Sequence, residues 1–210
     1  MDRAGGPAER RCCLSYLKEC IRLVINFYTG RSKQTDNKAE RKAQQGMVFT
    51  MQIKFPFDLS KPITGEASIE INRPIQDVFS YIGEHFFDNY PKWSVGVVEF
   101  EPLDGREVFI GAKAKQKRKD NGEEVESIFE ITDYQPVVKL TFKGLTEPYQ
   151  HSYLLESNDQ KQPTRLTFRF ELLEIEVFMR PFEKLIRAAI EDGAENTVEN
   201  IKNLIAIEND

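Results

Sequence analysis

Two tyrosines and a histidine recur at alternate positions late in the chain, at Tyr149, His151 and Tyr153. Alternate side chains of an extended strand lie on the same face, so this spacing predicts two phenols and an imidazole side by side. These groups donate and accept hydrogen bonds, and an imidazole with an ordinary pKa near about 6.5 can transfer a proton. The trio is therefore a candidate polar anchor for a ligand or a candidate proton-transfer group. The plainer alternative is a hydrogen-bonded or outward-facing histidine.

Other catalytic patterns are missing from the sequence. It contains no G-x-S-x-G, P-loop, G-x-G-x-x-G or H-E-x-x-H motif. Cys12, Cys13 and Cys20 all fall in the first twenty residues and lack the paired C-x-x-C spacing of a zinc site. The second histidine, His85, stands beside Phe86 and is expected at the surface. We therefore predict no metal and no other cofactor.

Composition and charge limit the class of protein. The chain has 210 residues, of which 40% are hydrophobic and 30% charged, enough for one sizeable core but without the long apolar run of a membrane span. Residues 1–46 hold ten Lys or Arg against five Asp or Glu, whereas the remainder holds 19 basic and 29 acidic residues. An acidic body argues against nucleic acid as a partner. Because this body lacks cysteine, we predict a reducing, cytoplasmic location.

The basic residues 1–46 form a separate extension. Residues 14–28 have the pattern of a short basic amphipathic helix, and residues 29–45 are polar and charged. Three interpretations remain open: a membrane-surface anchor with acylation at Cys12 or Cys13, a cleaved targeting peptide, or a non-native extension with translation starting at Met47 or Met51. We favour the last, or simple disorder, and expect membrane contact only through this extension.

The rest of the chain divides into an extended lead-in, residues 47–65, and one domain, residues 66–210. Period-two alternation between turn residues predicts seven strands in this domain, at Glu66–Asn72, Val95–Glu101, Glu107–Arg118, Glu123–Tyr134, Val137–Lys143, Tyr149–Ser157 and Thr164–Leu173. Between the first two strands we expect two short helices, Pro74–Ile82 and Glu84–Tyr90, the second ended by Pro91.

A long helix is predicted after the last strand, over Ile175–Ile207. Its apolar residues recur every three or four positions and form one stripe: Phe178, Phe182, Leu185, Ile186, Ala189, Ile190, Val198, Ile201, Leu204 and Ile205. Such a stripe requires burial, and a sheet is the natural surface to cover it. We expect a bend at Pro181 or Gly193.

Several segments, taken together, resemble the SRPBCC superfamily, the START-like, polyketide cyclase/dehydrase-like group. They are ASIEINRPIQDVFSYI, NYPKW, VFIGAKAK, FEITDYQPVVKLTFKG and TRLTFRFEL, and the resemblance covers about Glu66 to Ile207. It implies an α+β helix-grip fold of order β-α-α-β6-α, in which a curved seven-stranded antiparallel sheet wraps around the C-terminal helix and encloses an apolar cavity. It implies no particular chemistry, because the superfamily includes lipid carriers, hormone receptors, cyclases and oxygenase subunits.

Strand alternation indicates which side chains face this cavity. The lysines of the third strand share its outer face, which turns Ile110, Ala112, Ala114 and Gln116 inward, and the same logic selects Val138, Leu140 and Phe142, and Leu166, Phe168, Phe170 and Leu172. The candidate ligand-binding residues are Trp93, Ala112, Ala114, Phe129, Phe142, Tyr149, His151, Tyr153, Phe168, Phe170, Phe182, Leu185, Ile186 and Ala189. Small and aromatic linings are usual in small-molecule sites. For each residue taken singly, ordinary core packing is the commoner outcome.

The resemblance, together with these inward residues, implies two alternative functions. The first is a non-enzymatic binding or carrier module for a small apolar molecule such as a lipid, an isoprenoid or a polyketide. The second is a cyclase- or dehydratase-type enzyme in the same cavity, with His151 and Tyr149 or Tyr153 moving a proton. We favour the first. The sequence makes no prediction of oligomeric state.

Overall fold

The computed structural model describes residues 61–94, 96–120, 123–157 and 163–207. The predictions for residues 1–46 and for most of the lead-in lie outside these residues. Seven strands form one sheet: β1 Ile63–Ile71, β2 Val97–Pro102, β3 Lys113–Asp120, β4 Glu123–Gln135, β5 Lys139–Gly144, β6 Tyr149–Glu156 and β7 Thr164–Leu172. Their order is β1-β7-β6-β5-β4-β3-β2, and every neighbouring pair is antiparallel. The sheet predicted from alternation is confirmed.

Within the described residues, three α-helices accompany the sheet. They are α1 Ile75–Phe79, which continues into a π-helical turn at Ser80–Glu84, α2 Phe86–Trp93, and α3 Glu183–Ile207, preceded by a 3₁₀ helix at Val177–Phe182. The predicted end of α2 at Pro91 is wrong, because Pro91 lies inside the helix. Trp93, only 1% exposed, anchors the last turn in the core, so tertiary packing extends the helix past the proline.

The long C-terminal helix packs mainly against β1 and makes smaller contacts with β7 and α2. The predicted stripe is largely buried, with Ile186, Ala189, Ile190, Gly193, Ala194, Val198, Ile201 and Ile205 at its centre. α3 runs without interruption through Gly193, and the change in helix type falls at Phe182, directly after Pro181. Close approach to β1 depends on Gly65, where an added Cβ would lie 2.7 Å from Ile190 Cγ2.

Leu185 was predicted to face the sheet, and this is wrong. Its side chain is 47% exposed. At roughly 100° per residue, Leu185 stands about 40° beyond Ala189 and about 100° from Ile186, at the margin of the buried stripe rather than at its centre. Phe178, which precedes α3 in the 3₁₀ helix, is likewise exposed at 53%. Apolar residues at the edge of the helical stripe can therefore be exposed, and only those at its centre are reliably buried.

Two predictions of inward residues in the sheet are also wrong. The third strand begins at Lys113 rather than Glu107, and the preceding residues form a loop that turns at Gly111, where φ is +97°. Ile110 therefore lies outside the ladder and is 62% exposed. Val138 precedes β5 in a tight turn, where Val137 has φ of +65°, and is 50% exposed. In both places the alternation was extended past the true end of the strand.

Candidate functional site

The three residues Tyr149, His151 and Tyr153 share the inner face of β6. All are buried, at 4%, 6% and 1% exposure respectively. In the sheet register His151 stands between Phe142 of β5 and Phe170 of β7. Their spacing predicts a shared face, and the structure shows that this face is the inner one.

The imidazole of His151 is enclosed by aromatic rings. Its ring centroid is 4.7 Å from that of Phe142, 4.8 Å from Phe170, 5.1 Å from Tyr149 and 5.3 Å from Phe168. Neither ring nitrogen has a hydrogen-bond partner among the described residues. Burial, with a smaller effect from the Arg118 charge, holds the pKa of His151 well below 6.5. The ring is therefore neutral at pH 7 and offers one donor and one acceptor.

Beside His151 lies a buried polar network centred on Gln116 of β3. The Tyr90 hydroxyl donates to Gln116 Oε1 at 3.1 Å, and Gln116 Nε2 donates to Ser127 Oγ and to the Tyr149 hydroxyl, each at 3.1 Å. Gln116 is only 2% exposed. Burial is the main reason why the pKa of the Tyr149 phenol is raised. Each buried polar group of the network thus has at least one partner.

A second contact joins α2 to β6. Trp93 Nε1 donates to the Tyr153 hydroxyl at 3.1 Å. Burial is the main cause that raises the pKa of Tyr153 well above 10, so this phenol stays protonated. Phe86, earlier on the same helix, packs its ring 5.5 Å from Phe142 and 6.2 Å from Phe129. Helix α2 therefore covers the inner face of the central strands.

The remaining candidates occupy two surfaces. Ala112, Ala114, Phe129, Phe142, Phe168 and Phe170 are buried on the sheet, and Ile186 and Ala189 are buried on α3. Phe182 is half-buried, and Leu185 faces outward. Ala114 pairs with Phe129 in the ladder, so a small side chain stands next to a large ring. The structure thus assembles all the candidates except Leu185 around one interior.

Residues absent from the candidate set also belong to this interior. Gln116 is predicted to face inward, but its role as the hub of a network that joins Tyr90, Ser127 and Tyr149 is not predicted from the sequence. Arg118 was missed as well: it lies two residues beyond Gln116, on the same face of β3, and its Nη1 donates to Ser94 Oγ at 3.3 Å. Strand alternation continued from Ala112 would have selected Arg118, but only the packing reveals the hydrogen bonds.

In the described part of the chain, no cluster of three or more His, Cys, Asp or Glu residues has the arrangement of a metal site. No described helix is both long and apolar enough to cross a membrane.

The fold and its interior define the class of protein. A curved antiparallel sheet of seven strands packed against a long C-terminal helix is the helix-grip fold, and the chain belongs to the SRPBCC superfamily. Within it, residues 62–206, more than half of the chain, match the family model described as "Polyketide cyclase / dehydrase and lipid transport", so the chain is a member of that family. No curated protein sequence matches the chain significantly.

Solved structures with the same fold differ widely in sequence. The protein TTHA0849 from Thermus thermophilus is 14% identical with a TM-score of 0.56, and the match covers 70% of this chain and 99% of that one. The Zhui aromatase/cyclase from a Streptomyces species is 11% identical with a TM-score of 0.55, covering 70% and 94%. The di-domain ARO/CYC StfQ from the steffimycin biosynthetic pathway is 12% identical with a TM-score of 0.55, covering 70% and 51%. At these identities the likeness concerns the fold.

Proposed function

We propose that the domain binds one small, largely apolar molecule between the sheet and its helices, and that His151 makes the principal hydrogen bond to it. The observation that carries this proposal is the environment of His151. An imidazole buried among four aromatic rings with both nitrogens unpartnered is costly, at about 1–3 kcal/mol for each unsatisfied group. A ligand with a hydroxyl or carbonyl group would remove that cost.

The surroundings of His151 support an apolar body for this ligand. Ala114 on the inner face of β3 and Ala112, just before that strand, are fully buried and carry only methyl side chains. The walls nearest His151 are the rings of Phe142, Phe168 and Phe170. Aromatic walls with a few placed polar groups are typical of small-molecule sites. The family description, which includes lipid transport, is consistent with such a ligand.

A binding function is favoured over a proton-transfer enzyme by the acid and base strengths of the same residues. A general acid or base works best when its pKa lies near the working pH. Burial lowers the pKa of His151 well below 6.5 and raises the pKa of Tyr153 well above 10. Both shifts move the pKa further from pH 7. The neutral imidazole is better suited to hold a ligand than to exchange a proton with it.

The first experiment is native mass spectrometry of the full chain purified without added ligand. A co-purifying apolar molecule supports the proposal and gives its chemical class. The empty protein is then titrated with a fluorescent fatty alcohol and with the matching fatty acid. We expect the alcohol to bind more tightly than the acid, because a neutral imidazole carries no charge with which to form an ion pair with the buried carboxylate. Tighter binding of the acid would indicate that the head group binds Arg118 instead and would contradict the role proposed for His151.

Three variants complete the test. His151→Phe removes both ring nitrogens and should weaken alcohol binding about ten-fold, as expected for one buried hydrogen bond. His151→Gln keeps a donor and an acceptor and should change the affinity only a few-fold. His85→Gln alters a side chain that is 63% exposed and serves as the control. Failure of every probe to bind would mean that the core is filled by side chains. Chemical conversion of a bound probe, at a rate that falls about 10²–10⁴-fold in His151→Gln, would mean that the protein is an enzyme.

A further inference from the structure

A surface pocket outside the helix-grip interior lies between the end of β1 and the last turns of α3. Its volume is about 450 Å³, and it is lined by Ile71, Asn72, Arg73, Lys202 and Ala206. Ile71 is 2% exposed and supplies an apolar wall, and Ala206 adds only a methyl group. None of these residues belongs to the candidate site around His151. A concave pocket of this size is large enough for a small organic molecule.

The β1 side of this pocket is held in place by hydrogen bonds to the backbone of Arg73. Its N–H donates to the Ile71 carbonyl oxygen at 2.8 Å. Its carbonyl oxygen accepts a hydrogen bond from Thr164 Oγ1, also at 2.8 Å, and Thr164 is fully buried. Pro74 follows, and the residue before a proline is restricted to extended backbone. The base of the Arg73 side chain therefore has a fixed position beside the pocket.

The α3 side of the pocket is also fixed. Lys202 and Ala206 are four residues apart, so they lie on the same face of the helix. Ile201 and Ile205, each directly before one of them, are buried at 0% and 4% exposure and anchor this part of α3 in the core. Both sides of the pocket are thus held by packed elements. The pocket is formed before a ligand binds.

The charge of the pocket is opposite to that of the acidic body of the chain. Of the described residues that line it, two are cationic and none is acidic. Within the described residues, neither the Arg73 guanidinium nor the Lys202 ammonium has a hydrogen-bond or ion-pair partner. The closest acidic residues in sequence, Glu70, Asp77 and Glu199, are not among the lining residues. The carbonyl groups at the end of α3 add only about half a negative charge. The lining therefore carries a net positive charge.

We propose that this pocket binds a small organic acid. The carboxylate lies between Arg73 and Lys202, and the apolar body packs on Ile71 and Ala206. A guanidinium can donate two parallel hydrogen bonds to a carboxylate, and the lysine ammonium adds a second positive charge. The apolar wall favours an organic acid over an inorganic anion, which gains nothing from apolar contact. This site is separate from the interior around His151 and does not depend on the function proposed for that interior.

Amide NMR of the full, isotope-labelled chain tests this site with naphthoate and with its neutral analogue naphthylmethanol. We expect naphthoate to shift the amide signals of residues 71–73 and 202–206 saturably. The alcohol should bind there at least about ten-fold more weakly, because it carries no charge. Arg73→Gln and Lys202→Gln should each weaken naphthoate binding about five-fold or more. Arg165→Gln is the control: it removes an exposed arginine that does not line the pocket, and it should change the affinity less than about two-fold.

A further variant tests the apolar side of the pocket. Ala206→Trp fills the space from α3 without removing a charge, and it should abolish the naphthoate shifts. If inorganic phosphate displaces naphthoate and binds as tightly, the apolar wall plays no part and the proposal is wrong. Should a variant fail to fold, the comparison of naphthoate, naphthylmethanol and phosphate on the unaltered chain decides alone.

Other outcomes also overturn the site. Equal affinity for acid and alcohol would show that the cations do not hold the ligand. Equal losses in Arg165→Gln and Arg73→Gln would show a diffuse effect of charge. Shifts confined to the amides of residues 150–154 and abolished by His151→Phe would place the acid in the interior instead. The absence of saturable shifts at residues 71–73 and 202–206 up to about 5 mM naphthoate would contradict the proposal outright.

Discussion

The indole of Trp93 donates a hydrogen bond to the hydroxyl of Tyr153 at 3.1 Å, across 60 residues of sequence. The contact fixes the last turn of α2 against the middle of β6, and both side chains are 1% exposed. It determines how closely α2 covers the inner face of the sheet next to His151. The position of this one bond therefore limits the space that a ligand could occupy.

A double-mutant cycle should reveal this bond. We expect Trp93→Phe and Tyr153→Phe each to lower the free energy of unfolding. The two changes should show a coupling energy of about 1 kcal/mol, because either one alone already breaks the hydrogen bond and the second cannot break it again. Urea unfolding measures both quantities. Tyr149→Phe in place of Tyr153→Phe is the control, since its hydroxyl bonds to Gln116 instead. Equal coupling in the two cycles would contradict a specific bond.

Removing the amide of Gln116 should be costly. Gln116→Leu keeps a similar volume but withdraws the partner of Tyr90, Ser127 and Tyr149. We expect a loss of at least about 2 kcal/mol in the free energy of unfolding, since buried polar groups would be left unpaired. The matched control is Gln150→Leu, which removes a half-exposed amide bonded to Glu171. It should cost less than about 1 kcal/mol, and a similar cost for both variants would count against the network.

His151 should make the folded state sensitive to acid. Because burial depresses the pKa of His151 in the folded chain, the unfolded chain binds its proton first as the pH falls. This contribution to stability is complete above about pH 6.5 and is lost below it, by up to about 1.4 kcal/mol per pH unit. The difference in unfolding free energy between wild type and His151→Phe should thus change by about 1 kcal/mol from about pH 7.5 to about pH 5.5. Parallel profiles for wild type and His151→Phe would refute the depressed pKa.

Gly65 should tolerate no side chain. A Cβ at this position would lie 2.7 Å from Ile190 Cγ2 and 2.9 Å from the backbone nitrogen of Glu191, so Gly65→Ala forces α3 away from β1. We expect a loss of about 1–3 kcal/mol, seen as a lower urea midpoint. Glu70→Ala, at an exposed position of the same strand, should stay within about 0.5 kcal/mol. An unchanged midpoint for Gly65→Ala would show that the helix is not tightly packed there.

Period-two alternation predicted the sheet well wherever a strand is buried on one face. It selected the inward residues of β7, including Phe168, because a one-residue shift would have turned apolar side chains to solvent. On β6 it placed Tyr149, His151 and Tyr153 on one face and left open whether that face is the inner one. It failed at strand ends. Ile110 and Val138 lie just before β3 and β5 begin, where loop geometry rather than alternation sets the direction of the side chain.

The helical periodicity had a similar limit. It predicted the buried stripe of α3 but included Leu185, because spacing alone does not give the width of the surface that β1 presents. Pro91 predicts the end of α2 because a proline has no backbone N–H to donate within a helix. The burial of Trp93 nevertheless stabilises the last turn by more than the missing hydrogen bond costs. The roles assigned to the candidate ligand-binding residues stay predictions.

By itself the sequence determined the order of the elements, the inner faces of β3, β5 and β7 and the presence of a long one-sided helix, because these follow from the periodicity of apolar residues along the chain. Only the tertiary structure decided which polar groups meet. Gln116 with Tyr90 and Tyr149, Trp93 with Tyr153, and His151 without a partner are outcomes of how α2 lies on the sheet. The reason is physical: a hydrogen bond requires its atoms within about 3 Å, and no local pattern specifies distances between residues far apart in the chain.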